Sequence, residues 1–267
     1  MNSSHTHMHQ SHAKATHQWG TLLGVPKMEM FESPASWVSR AALSQGATRE
    51  EFAEFLGLRK RDDPDLAFTE SNIGEIARRC GVPKVYFDFA SHMFGGLASI
   101  GPNGKRFLSD YQLGARYRYC PVCLHESKVK HFMVHWRFSA WRYCPEHDCR
   151  MADTCKQCAA HISMPTDMLC GGPQGEGIAT LDYCMVCGHR LSAHWRAVRG
   201  EMGRLDLNFI EKTAYAHGRA TLAAVYHRRF WYVSNGVNRS LGLKSLVNFD
   251  HFGLMLRGDS GYSGFGS

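Results

Sequence analysis

The sequence predicts a mainly α-helical protein with two small zinc-binding modules of the ribbon or knuckle kind and, ahead of them, a helix-turn-helix unit. Three observations support this. Four pairs of metal-binding residue types, each pair with two intervening residues, stand between Cys120 and Cys187. Upstream, apolar residues recur at the spacing of amphipathic helices. Gly81 and Pro83 then punctuate two such helices where a sharp turn is needed.

The pairs are Cys120-Pro-Val-Cys123 with Cys144-Pro-Glu-His147, and Cys155-Lys-Gln-Cys158 with Cys184-Met-Val-Cys187. Two intervening residues let a tight turn aim both side chains at one ion, with Zn–S bonds of about 2.3 Å, and a second pair completes a tetrahedron. The pattern C-x2-C-x20-C-x2-H followed, after seven residues, by C-x2-C-x25-C-x2-C therefore predicts two structural zinc ions. One is held by Cys120, Cys123, Cys144 and His147, the other by Cys155, Cys158, Cys184 and Cys187. Cys149, two residues past His147, is an alternative fourth ligand that would make the first site all-sulfur. Cys80, Cys149 and Cys170 otherwise read as small, half-buried side chains.

A disulfide framework would need an oxidising compartment. Residues 1–18 lack the apolar run of a secretory signal, and no later stretch is apolar enough to span a membrane, so the expected location is the cytoplasm. The formal net charge of +7 falls by three once seven ligand thiolates are set against two dications. That modest basic bias permits nucleic-acid contact without demanding it.

Along the chain, residues 1–21 form a His-rich leader, with His5, His7, His9, His12 and His17 among Ser, Thr and Gln, expected to be disordered. A helical domain is expected over 22–112. Its first helix carries Trp37, Val38, Ala41 and Ala42 and ends at Gly46, a left-handed cap. The next opens with the capping box Thr48-Arg-Glu-Glu51, buries Phe52, Phe55 and Leu56, and stops at Gly57. A charged connector, 59–65, leads to the helix-turn-helix: Ile73, Ile76, Ala77 and Cys80 line one face, Gly81 makes the turn, and Pro83 starts a helix running to about Met93. Lying in a DNA groove, that helix would present Lys84, Tyr86 and His92, with Asp88 facing phosphates unfavourably.

The tandem zinc region is expected over 113–192. Between its first two pairs, His131 to Tyr143 fits helix or strand equally and should supply the core that small zinc modules cannot build alone; base stacking by Trp136, Phe138 and Trp141 beside Arg137 and Arg142 is the alternative. A C-terminal helical segment follows over 193–257, with a helix from Asp206 to about Val225 carrying Phe209, Ile210, Thr213 and Ala214 along one side. The cluster Tyr226 to Tyr232 reads as its core-forming end, with a nucleic-acid or partner contact as the alternative, and 258–267 as a flexible tail. Enzymatic chemistry is not expected. Both zinc sites can be closed by four ligands, whereas a catalytic zinc keeps an open position. His125 and His131 are six apart, too far round a helix for a metalloprotease pair, and neither a deaminase signature nor a phosphate-binding loop is present.

Two segments resemble the TniQ family of transposition proteins. Phe31-Glu-Ser-Pro-Ala-Ser-Trp37-Val-Ser-Arg40 is similar to that family's opening signature, and Ile76-Ala-Arg-Arg-Cys-Gly81-Val to its following helix-turn-helix. The match is more specific in Arg118-Tyr-Cys120-Pro-Val-Cys123-Leu124, Trp136, Cys144-Pro-Glu-His147 and Cys155-Lys-Gln-Cys158, so the resemblance covers about residues 28 to 190. It implies a target-selection adaptor that links target DNA, met directly or through an RNA-guided or other DNA-bound complex, to an AAA+ ATPase regulator and its transposase. Both zinc ions would be structural, and a homodimer is kept as an option. The chain departs from relatives that read a fixed attachment site in having a short segment after Cys187, and the His-rich leader has no counterpart. The alternative reading is a zinc-dependent helix-turn-helix transcription regulator.

Overall fold

The computed structural model describes residues 20–60, 62–109, 115–168, 178–201 and 209–248. Residues 1–19 of the leader, Cys170, the expected helix start at Asp206 and the C-terminal tail fall outside them. Five helices build the N-terminal part: α1 (Pro34–Ser44), α2 (Arg49–Phe55), α3 (Pro64–Ala67), α4 (Ile73–Cys80) and α5 (Asp88–Ser99). Local chemistry sets their limits. Ser33 caps α1 by accepting from Ser36 N–H, Gly46 ends it with φ +65°, and both halves of the Thr48–Glu51 capping box form at α2. Gly81, at φ +63°, turns the chain between α4 and a 3-10 turn over Lys84–Phe87 that leads into α5. The last helix thus begins later than Pro83 implies and runs to Ser99 rather than Met93, because Phe94 and Leu97 extend its buried face.

Trp37 is the hub of this layer. Its ring meets Phe52, Phe68 and Phe87 edge to face at 4.9–5.9 Å, and its indole donates to Pro26 O at 2.8 Å. The acidic and basic residues beside it lock the entry to α1. Glu32, 1% exposed, takes both Arg40 nitrogens at 2.7 and 2.9 Å and the Ser36 hydroxyl at 2.8 Å. Ser36 Oγ also accepts from Phe132 N–H, and Ser33 N–H donates to Phe132 O. The N-terminal signature therefore clamps α1 onto the segment between the first two cysteine pairs.

That segment is neither a helix nor a regular strand. It makes a bridge at Met133, a 3-10 turn over Val134–Arg137 and a bridge at Phe138. Trp136, Phe138 and Trp141 are buried, so they build the core and are not available to stack on bases. Arg137, fully buried, donates to Asp63 at 2.9 Å and to Ser109 O, and lies 3.4 Å from Asp65. Asp65 also accepts from Ala35 N–H and from the Tyr117 hydroxyl. Burial, with Asp63 adding to it, pushes the Asp65 carboxyl up to about 7.

Past the cysteines come α6 (Pro121–Glu126), which precedes the short ribbon β1 (Tyr143–Cys144) and β2 (Cys149–Arg150), then α7 (Trp195–Glu201) and α8 (Phe209–His227). Two expectations for α8 are corrected. Phe209 and Ile210, on the expected apolar side, are 83% and 70% exposed; the buried face starts about two turns later, with Gly218, Ala220, Leu222, Ala224 and Val225. The aromatic cluster after it is a strand, not a helix end: β3 (Arg229–Ser234) pairs antiparallel with β4 (Val237–Gly242). Asn235 and Gly236, both at positive φ, form the two-residue turn whose twist suits a hairpin. The C-terminal part closes on the rest by close approaches. A Cβ at Gly218 would sit 2.6 Å from Ala140 O, and one at Gly96 would collide with the Arg228 guanidinium, which donates to His92 O.

Candidate metal centres

Three of the four cysteine pairs adopt one turn. In each, the residue before the first ligand pairs antiparallel with the residue six beyond that ligand: Tyr143 with Arg150, Thr154 with His161, Tyr183 with Arg190. In each, the residue after the second ligand has positive φ: Asp148 at 38°, Ala159 at 58°, Gly188 at 68°. The reversal is what turns both ligand side chains to one side. The exception is Cys120–Cys123, which opens a helix. Cys120 is the N-cap of α6, its Sγ accepts Cys123 N–H at 3.5 Å, and Pro121 supplies the fixed φ of the first turn.

The first cluster gathers Cys120, Cys123, Cys144 and His147, with all four donor atoms within 4.8 Å of one another. His147 Nδ1 lies 3.6, 3.2 and 3.5 Å from the three sulfurs, and Cys123 Sγ lies 3.5 Å from Cys144 Sγ. Ligands about 2.3 Å from a tetrahedral ion stand roughly 3.8 Å apart, so the donors need only small movements to hold zinc. Cys149 borders the cluster, 3.6 Å from Cys120 Sγ. Within the repeated turn it matches Ala160 and His189, whose carbonyls accept from Cys155 N–H and Cys184 N–H; it stands at a backbone-pairing position, whereas His147 stands at the ligand position.

Glu126 accepts from His147 Nε2 at 3.0 Å. Such a carboxylate orients a histidine ligand and leaves its other nitrogen free for the metal. Sequence reasoning passed over Glu126. The signal was its place at the end of α6, one turn after Cys123.

The second cluster joins Cys155, Cys158, Cys184 and Cys187, with Cys155–Cys187 and Cys158–Cys184 sulfurs each 3.7 Å apart. It is the more open of the two: Cys187 is exposed and Cys158 half-buried, whereas every donor of the first is buried. Buried Asp182 braces it by accepting from the Ser192 amide and hydroxyl at 2.9 and 2.6 Å. The soft, all-thiolate or thiolate–imidazole donor sets suit zinc, and four ligands in each leave no open position. Cys80 belongs to neither site. It is the buried last residue of α4, and desolvation pushes its thiol up to about 12, an inert side chain.

The residues expected at a groove are dispersed in role. Lys84 is exposed, Tyr86 is half-buried with Lys27 Nζ 5.1 Å from its ring centre, and His92 Nε2 bonds to Tyr226 O at 2.7 Å. Lys84 and His92 share a cleft of about 650 Å³ with Glu70, Asp88 and Tyr226. Its two carboxylates make it a poor cradle for phosphate.

Taken together, a helical layer clamped to a segment bracketed by Cys/His clusters that could each hold a metal ion defines a mostly helical protein with two candidate metal centres. Residues 24–151, just under half of the chain, match the TniQ family model, and the match supports a transposition-associated role. The match spans α1 to the first cluster and stops before the second. Comparison with curated proteins gives no match. No helix among the described residues is long and apolar enough to cross a membrane.

Proposed function

We propose that this protein is a non-catalytic, cytoplasmic adaptor in DNA transposition. It joins target DNA, met directly or through a DNA-bound complex, to an AAA+ ATPase regulator that brings in the transposase. The observation that carries this reading is the family match over residues 24–151, which falls on the part of the fold held by the α1 clamp and the first cluster. Cys120, Cys123, Cys144 and His147 would hold one zinc ion and Cys155, Cys158, Cys184 and Cys187 a second. The ions supply cross-links where short ribbons have too little core of their own. With every ligand position taken by protein, neither ion would have a place for substrate, so function lies in surfaces. The turn between α4 and α5 serves as a helix-turn-helix-like support, with Lys84 as its exposed cation.

The test is complex formation. Zinc-loaded full-length protein is mixed with an AAA+ transposition ATPase from the same genome, with ATP or ADP, and run over a sizing column. A nucleotide-dependent complex is expected. No association in any nucleotide state, together with sequence-specific binding to the DNA upstream of its own coding region, would instead mark a transcription regulator.

A further inference from the structure

The C-terminal hairpin lies outside the family match and holds none of the cluster residues. From Lys212 to Asn248 the sequence holds six lysines and arginines and no aspartate or glutamate, against a formal net charge of +7 for the whole chain. This is where the basic surplus is concentrated.

The register decides which residues face out. Phe230 pairs with Leu241 and Tyr232 with Arg239 on one face; Arg229 pairs with Gly242 and Trp231 with Ser240 on the other. Phe230, 3% exposed, seats the first face beside buried Leu243 and Leu246. On the second face Arg229 is exposed and Trp231 is 48% exposed. Arg239 also reaches solvent near the turn. Arg229 donates to Ser240 Oγ at 2.8 Å, and among the described residues Arg229, Arg239 and Lys244 have no acidic partner. Arg228 shows the contrast, since its guanidinium is used inside, on His92 O and against Gly96. A run of rings joins the hairpin to α5: His92 to Tyr226 at 5.0 Å, Tyr226 to His227 at 5.2 Å, His227 to Trp231 at 6.3 Å.

We propose that the exposed face and tip of the β3–β4 ribbon are a binding surface for duplex DNA, with Arg229 and Arg239 on phosphates and Trp231 against the groove wall. A two-stranded ribbon of this kind fits a B-DNA major groove, about 12 Å wide, and six residues per strand reach about 20 Å along it. The free cations supply the charge complementarity, and the buried inner face holds the ribbon rigid. The proposal shares with the adaptor reading only the premise that the protein works at DNA, so it is tested without the ATPase.

The experiment is fluorescence anisotropy of zinc-loaded full-length protein on a labelled random duplex of about 30 base pairs, over roughly 50–200 mM salt. The Arg229→Ala/Arg239→Ala variant is expected to bind about tenfold more weakly at the low-salt end and to lower the slope of log affinity against log salt by about two. Arg229→Lys/Arg239→Lys should recover most of that slope, and Trp231→Ala should weaken binding about fivefold with the slope unchanged. Because these side chains are exposed, thermal unfolding of all three variants should match the parent. Three results would each overturn the proposal: no duplex binding by the parent at low salt, equal affinity and slope in the double alanine variant, or tighter binding to a single strand than to duplex.

Discussion

The two metal clusters look alike in sequence but occupy different physical situations. The donors of the first are all buried, and its ligands are interleaved with the core: Val122, Leu124, Phe132 and Trp136 lie between them in the chain and are at most 1% exposed. The second is built from two copies of the same turn facing each other across its sulfurs, with Cys187 at the surface. The first cluster thus lies wholly inside a core shared with α1 and α5, whereas the second joins that core through Cys155 and Cys184 and reaches the surface through Cys187. One motif can serve as part of a domain or as a rim, and what lies between its ligands decides which.

The largest expected effect separates the two. Cys120→Ser should lose one zinc equivalent and with it the cooperative unfolding of the helical part, because a structural zinc of about 10–16 kcal/mol in apparent affinity is comparable to a domain's whole stability of about 5–15 kcal/mol. Cys187→Ser should also lose one equivalent, yet leave the transition reported by the buried Trp37, Trp136 and Trp141 within about 1 kcal/mol of the parent. Zinc stoichiometry and tryptophan-detected denaturation measure both. Equal loss of the transition in the two variants would erase the distinction.

A smaller effect concerns acid. His135 is packed between Trp136 and Trp141, with ring centroids 6.3 and 5.0 Å away, and burial lowers its pKa to about 4 from an ordinary value of 6.5. A histidine held neutral by the fold gives stability that is present above the unfolded pKa and is lost as pH falls from about 6.5 toward 4, since the unfolded chain takes up the proton first. His135→Phe removes that term. Between pH 7 and pH 5 the parent should lose about 2 kcal/mol more than the variant, while acid release of metal affects both alike. Urea denaturation at the two pH values reads the difference; parallel losses would mean that His135 is protonated without cost.

Much of this molecule is legible in its sequence where one residue type has one physical use. The capping box at Thr48, the left-handed glycines at positions 46, 57 and 81, and the gathering of each four-residue Cys/His set follow from local chemistry and are seen in the fold. What was not legible depended on partners distant in sequence. Residues 131–143 carry a mixed period because they pack against α1, and Arg137 is buried only because Asp63 and Asp65 come to meet it. The exposed Phe209 and Ile210 show that apolar residues on one side of a helix need not mark the buried side when packing begins about two turns later. The hairpin was different: Asn235-Gly236 between Phe-Trp-Tyr-Val and Val237 is a local signal, obscured by the strongly helical pattern before it.

The finest test lies within the second cluster, between its own two turns. They share register and hydrogen bonds, but the left-handed position holds an alanine in one, at φ 58°, and a glycine in the other, at φ 68°. An L-residue pays about 1 kcal/mol or somewhat more for that conformation, while glycine also loses more freedom on folding, which offsets part of the gain. Ala159→Gly should therefore tighten zinc at the second cluster by up to about fivefold, and Gly188→Ala should weaken it by about as much, roughly 1 kcal/mol each way. Nothing lies within 4 Å of a Cβ built at Gly188, so the difference would come from the backbone and not from a clash. Competition with a chromophoric chelator measures both affinities. Opposite signs would assign the cost to backbone conformation; a Gly188→Ala variant with unchanged affinity would show that the more exposed turn relaxes, leaving Ala159 as the turn that carries the strain.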